Sequence, residues 1–181
     1  LHDALPISMT DREIFAAAYN LSLMQEYAAG LGARFAFTIA PDKSSLYPEH
    51  LPGYPESDAP SNAERLKTVL DELDVAYVDL FELFESQDEV LYFEHDSHWN
   101  SRGAALAADA INSALGVSSN YGEGFDYETS QHTGDLFEIL YPAGEDGETN
   151  DEPTAMNFNQ GENVRPDSIT IDTTGAGELN L

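Results

Sequence analysis

The chain has 181 residues, 34 acidic against 7 basic side chains, a formal net charge of -27, 41% hydrophobic residues and no cysteine. That charge repels phosphates, which excludes nucleic acid and anionic membranes as partners, and a chain without thiols has no disulfide, thiolate metal site or cysteine nucleophile. The apolar content suffices for one domain or most of a larger one. No apolar run reaches the roughly 20 residues that span a bilayer, so no direct membrane insertion is expected, and the acidic excess reads as a hydrated, salt-tolerant surface of halophilic type.

In chain order, residues 1–8 read as a non-native scar: Leu1-His2-Asp3-Ala4-Leu5-Pro6-Ile7 looks like a translated sequencing adapter, to be left out of the domain at 9–181. Positions 10–31 predict a helix with Thr10 as N-cap, Ile14, Ala17, Ala18, Leu21, Met24 and Ala28 at helical spacing, and Gly30 and Gly32 near its end. Residues 34–40 predict a buried strand, 41–60 a proline-rich loop, and 62–73 a helix capped by Ser61. A second strand is expected at 75–80, a short helix at 81–86 and a third strand at 90–93. Asn100 or Ser101 caps a helix that runs to Leu115, where Gly116 stops it. From 117 to 181 the chain reads as an acidic, loop-rich part, with 144–152 a solvated loop and 168–172 alternating like a strand.

Helices alternating with short apolar strands predict an α/β layered domain with a mainly parallel sheet. Sites in such sheets lie at the carboxyl ends of strands, which places the loops at Pro41 and Asp96 on one rim.

The run Tyr92-Phe93-Glu94-His95-Asp96-Ser97-His98-Trp99-Asn100 carries the chemistry. In an extended segment residues i and i+2 point the same way. Asp96 is therefore placed to accept a hydrogen bond from one ring nitrogen of His98, leaving the other to take a proton from a nucleophile. Plainer roles compete: a structural histidine at a helix N-terminus for His98, and a helix-capping carboxylate for Asp96. Trp99 reads first as packing and second as a sugar platform, and Asn100 first as a helix cap and second as a substrate contact. Lys43 fits a surface ion pair or an anionic uronate, and Tyr47 lines a cleft or closes a loop. Glu94, His95, Asp96 and His98 also suggest zinc or manganese, but neighbours 95 and 96 point apart in an extended chain and His132 is too distant in sequence to place. No cofactor or metal is assigned.

Asp96-Ser97-His98-Trp99 followed by Gly103 and an alanine-rich helix resembles the Asp-x-His-Trp signature of the SGNH-hydrolase-like domain of alginate O-acetyltransferases, the AlgX/AlgJ type. Ala40-Pro41-Asp42-Lys43-Ser44-Ser45-Leu46-Tyr47-Pro48 is similar to that family's Pro-x-Lys-x-x-x-Tyr-Pro segment, and Gly134-Asp135-Leu136 to its Gly-Asp-Leu element. The resemblance implies a three-layer αβα fold, here incomplete at both ends, and an O-acetyltransferase or acetylesterase using a Ser-His-Asp triad with His98 as base and Asp96 orienting it. Lys43, Tyr47, Trp99 and Asn100 are the candidate substrate-side residues, and the resemblance implies as partners a polysaccharide, an acetyl donor and a membrane acyl-transfer protein, in the periplasm or extracytoplasmic envelope. It further implies a serine in a Gly-Asp-Ser-type turn after the Asp-x-His-Trp motif. Ser130 and Ser168 lack that context, so the chain is expected to be a fragment cut before its nucleophile and inactive alone. A non-catalytic carbohydrate-binding or scaffold protein of the same fold and a metal-dependent hydrolase stand as the alternatives.

Overall fold

The computed structural model describes residues 8–50, 59–123, 126–145 and 147–153. Residues 1–7 of the expected scar at 1–8, the expected strand at 168–172 and Ser168 lie outside them. Helix α1, Asp11–Gly30, begins with a capping box: Glu13 N–H donates to Thr10 Oγ1 and Thr10 N–H to the Glu13 carboxylate. Strand β1, Phe37–Thr38, is followed by a single turn α2, Lys43–Leu46, capped by Asp42, and a 3-10 turn, Pro48–His50. Helix α3, Asn62–Glu72, carries a second capping box from Ser61 and Glu64. Strand β2, Tyr77–Val78, leads into α4, Leu80–Glu85, and then α5, Ser101–Ala114. The last elements are β3, Tyr127–Gln131, α6, Asp135–Leu140, and β4, Thr149–Pro153.

Strands β1 and β2 pair in parallel, Phe37 with Tyr77 and Thr38 with Val78, joined through α3. Both are shorter than the apolar runs that announce them, because a ladder needs a facing strand and only two residue pairs lie opposite each other. Residues 90–93, expected as a third strand, instead fold back on their own continuation. Tyr92 bridges Trp99 antiparallel, Asn100 N–H donates to Leu91 O at 2.9 Å and Phe93 N–H to His98 O at 3.3 Å. This arch carries Asp96 at its tip.

Two apolar clusters hold the layers. Ile14 and Ala18 of α1 meet Leu66 and Leu70 of α3 and Val75. Leu80, Phe84, Leu91, Tyr92 and Ala107 form the second, directly beneath the arch, with Tyr47 and Trp99 packed against it. Each fully buried leucine there contributes roughly 2 kcal/mol relative to exposure. Helix α5 ends as expected, with Gly116 at φ +65° and Val117 N–H reaching back to Asn112 O at 2.8 Å.

The reading of 144–152 as a solvated loop is corrected at its end. Residues 149–153 pair antiparallel with 127–131, Thr149 opposite Gln131 and Pro153 opposite Tyr127. Long-range partners offset the dense charge: Arg102 binds the Asp151 carboxylate at 3.0 and 3.1 Å and lies 4.5 Å over the Tyr127 ring. The buried Asn150 bonds Ser101 through both its amide oxygen and its amide nitrogen.

Candidate active site

The arch is built on aromatic packing. Phe84 and Trp99 meet edge to face at 5.1 Å, Tyr92 and Trp99 at 6.4 Å, and Tyr47 and Tyr92 at 6.1 Å. Trp99 Nε1–H donates to the Tyr92 hydroxyl, which donates to Pro41 O. Burial pushes the Tyr92 phenol up to about 12, so it stays a neutral donor.

Asp96 is 5% exposed and all its lone-pair directions are used. Oδ1 accepts from the His98 backbone N–H at 2.9 Å and stands 2.6 Å from His98 Nδ1. Oδ2 accepts from Asp135 N–H at 3.2 Å and lies 2.9 Å from His132 Nε2. Burial opposes the charge on Asp96, but the bonds from His98, His132 and the Asp135 amide outweigh it and hold the carboxyl well below the usual carboxylate range. The side chain of His98 is 75% exposed. Its bond to Asp96, followed by the Asp96 charge, raises its pKa, and the Asp135 carboxylate 3.6 Å away adds to the rise.

Other groups fix the loop. Lys43 Nζ donates to Glu94 O at 2.6 Å and Asp96 O at 3.2 Å, two main-chain carbonyls of the arch. The Tyr47 hydroxyl accepts from Leu91 N–H at 3.1 Å. Asn100 caps α5, its Oδ1 accepting from Gly103 N–H at 2.9 Å and its Nδ2 donating to Val90 O at 2.9 Å. The Glu148 carboxylate accepts from Glu94 N–H and, at 2.9 Å, from His95 N–H. Asp135 takes Ser97 N–H at 2.8 Å and the Ser97 hydroxyl.

The family described as "SGNH hydrolase-like domain, acetyltransferase AlgX" matches residues 8–172. The chain belongs to this family. It therefore has the SGNH-hydrolase-like fold, and a solved structure agrees: the O-acetyltransferase domain of Pseudomonas putida AlgJ superposes with a TM-score of 0.55 at 18% identity, over 80% of this chain and 58% of that one. Among curated proteins none matches. The chain thus spans little more than half the length of the AlgJ structure.

A carboxylate against Nδ1 of an exposed imidazole is an arrangement in which Nε2 can accept a proton. No described residue bonds that Nε2. Ser97 Oγ is 3.4 Å from Nδ1, the nitrogen already committed to Asp96, and its proton goes to Asp135, so it is not placed as a nucleophile. Ser130 Oγ is sealed from solvent on β3.

The metal alternative named Glu94, His95, Asp96 and His98. Among the described residues, the donor atoms that lie within 4.8 Å of one another are instead those of Asp96, His98 and Asp135, and His95 faces Glu148 and Phe137. Four N–H contacts already occupy the two Asp96 oxygens, so a cation there would displace the bonds that order the dyad.

His132, Asp135 and Glu148 escaped the sequence reading as site residues. The Gly134-Asp135-Leu136 element signalled Asp135. For His132 and Glu148, 36 residues beyond Asp96 and 54 beyond Glu94, nothing local marks the contact.

Proposed function

We propose that this chain supplies the acid and base of a Ser-His-Asp acyl-transfer site acting on an alginate-like extracytoplasmic polysaccharide. The observation that carries the proposal is the 2.6 Å contact between buried Asp96 and Nδ1 of the outward-facing His98. In this mechanism a serine outside these residues attacks an acetyl carbonyl and gives its proton to His98 Nε2. Asp96 stabilises the imidazolium, and His98 returns the proton as the donor's leaving group departs. A sugar hydroxyl then attacks the acetyl-serine, passing its proton to His98, and the serine is released.

Membership of an acetyltransferase family supports transfer over hydrolysis. Among the described residues no helix is long and apolar enough to cross a membrane. In this reading the acetyl donor is presented by a membrane acyl-transfer partner. Lys43 and Asn100 support the loop in this scheme, and the Trp99 indole N–H, committed to Tyr92 and Pro41 O, makes that residue part of the same support.

The test is an acetylation assay on the protein encoded by the parent gene, with an activated acetyl ester as donor and an oligouronide as acceptor. An acetyl-enzyme detected by intact mass, formed at least 1,000-fold more slowly in His98→Ala (on the order of a triad loss), is the expected result. Undiminished acetylation in His98→Ala, or complete loss on chelation with recovery on adding zinc, sinks the reading.

A further inference from the structure

Each Asp96 oxygen carries two hydrogen bonds, and one of the four comes from a side chain on a distant segment. We propose that His132 is a positioning residue of the acyl-transfer site: its Nε2–H holds the outer Asp96 oxygen, so that the inner oxygen stays on Nδ1–H of His98 and His98 presents an unprotonated Nε2. The proposal rests on His98 being the base.

An ionised carboxylate only accepts, so a contact of 2.9 Å to Oδ2 requires the proton on Nε2 of His132. The ring is set for that role on two sides. It stacks on the buried Phe93 ring at 3.7 Å and 13°, and its own main-chain N–H donates to Glu148 O at 3.0 Å. Glu148 in turn holds the amides of Glu94 and His95, so the end of the β3–β4 pair and the arch are cross-linked at three points around Asp96.

Gly134 lets the segment approach. A Cβ there would stand 2.0 Å from His95 O, and only without it do His132 and the Asp135 amide reach the same carboxylate oxygen. Without His132, Oδ2 keeps one bond of 3.2 Å and the carboxylate is free to rotate away from His98. The neutral imidazole of His98 then has less reason to keep its proton on Nδ1, and the tautomer with Nε2 protonated is no base.

The test needs no turnover. The nitrogen-15-labelled 181-residue chain has five histidines, and long-range proton–nitrogen correlation spectra show which ring nitrogens carry protons. The expected result is a proton on Nε2 of His132 and on Nδ1 of neutral His98. His132→Phe, which keeps the stack on Phe93 and loses the donor, is expected to raise the Nε2–H fraction of His98 about fivefold or more, the worth of one hydrogen bond. His132→Gln, which keeps a donor and loses the stack, is expected to restore it to within about twofold. A pure packing role predicts the reverse order, and an unchanged His98 tautomer in His132→Phe overturns the proposal. Should His132→Phe fail to fold, the wild-type spectrum decides: an unprotonated Nε2 on His132 overturns the proposal and a protonated one sustains it. A failed acetylation assay with these tautomers intact removes the catalytic reading of His98 alone.

Discussion

Asp96 and His98 are joined twice through one carboxylate oxygen, once to the His98 amide at 2.9 Å and once to its Nδ1 at 2.6 Å. The amide bond fixes the main chain and the ring bond fixes the imidazole, so the two-residue spacing creates both with one acceptor. The orientation of His98 is therefore a property of the loop, while its side chain stays 75% exposed.

Replacing Asp96 by Asn is expected to destabilise the fold by about 2 kcal/mol at neutral pH. An amide cannot accept on both sides, so its nitrogen faces either the His98 donors or those of His132 and Asp135. Because the folded Asp96 pKa is depressed, its contribution is present above the unfolded carboxyl value of about 4 and is lost as pH falls below that. Urea midpoints of wild type and Asp96→Asn, measured in high salt from pH 7 to pH 3, should converge on the acid side. A gap that is constant with pH contradicts the linkage.

The His98 pKa is raised by its bond to Asp96, so the base of the proposed mechanism is neutral only at pH values above the ordinary imidazole range. The acetylation rate of the parent protein should rise with pH through that raised value, and in Asp96→Asn the residual rate should titrate lower. Any stability from the charged pair has the opposite sense: it is present below the unfolded histidine value of about 6.5 and is lost as pH rises through the folded one. A wild-type profile centred below the Asp96→Asn profile contradicts the assignment.

The helices were legible because their signals are local. Thr10 with Glu13 and Ser61 with Glu64 close capping boxes that three-residue spacing announces, and of the two expected candidates, Asn100 and Ser101, it is Asn100 that caps α5. The Asp96–His98 contact was legible for the same reason. Strand pairing was not, since Val90 to Phe93 is as apolar as a sheet strand and only its neighbours decide that it turns back on Trp99. Charge misled at Thr149 to Glu152: Asp151 is held by Arg102 and Asn150 by Ser101, contacts 49 residues apart that no window along the chain displays.

Glu148 shows what such a distant acidic residue does. Its side chain is 11% exposed and accepts from two consecutive amides of the arch, at Glu94 and His95. Glu148→Ala strands both donors and is expected to cost about 2 kcal/mol or more. Hydrogen exchange should speed at Glu94 and His95 well before it changes at Leu70 or Ala18, which lie in the other cluster. Equal acceleration at all four amides indicates global destabilisation and contradicts a local anchor.

Gly134→Ala tests the close approach directly. The new methyl carbon would meet His95 O at 2.0 Å, a Cβ fixed by the main chain against a main-chain oxygen, where no rotamer offers relief. The segment must move out, breaking the 3.2 Å bond from Phe137 N–H to His95 O and the Asp135 amide bond to Asp96. A loss of about 2 kcal/mol or more is expected from such overpacking. Gly147→Ala, with nothing within 4 Å of its Cβ, serves as the matched control and should change the midpoint little. Equal effects from the two substitutions contradict the approach.

Salt should stabilise this chain. At a net charge of -27 the compact state crowds like charges, and the Debye length falls from about 30 Å at 0.01 M to about 3 Å at 1 M. Screening also weakens attractive pairs such as Arg65 with Asp11 at 2.8 Å, but the Asp11 end of that pair is fully exposed, and exposed pairs contribute at most about 1 kcal/mol. With 34 acidic and 7 basic groups, repulsion outnumbers attraction, so the melting temperature should climb steeply up to about 1 M sodium chloride. An uncharged osmolyte raises stability by exclusion without screening, so sucrose at equal osmolality separates the causes. A chloride effect no larger than that of sucrose contradicts the electrostatic account.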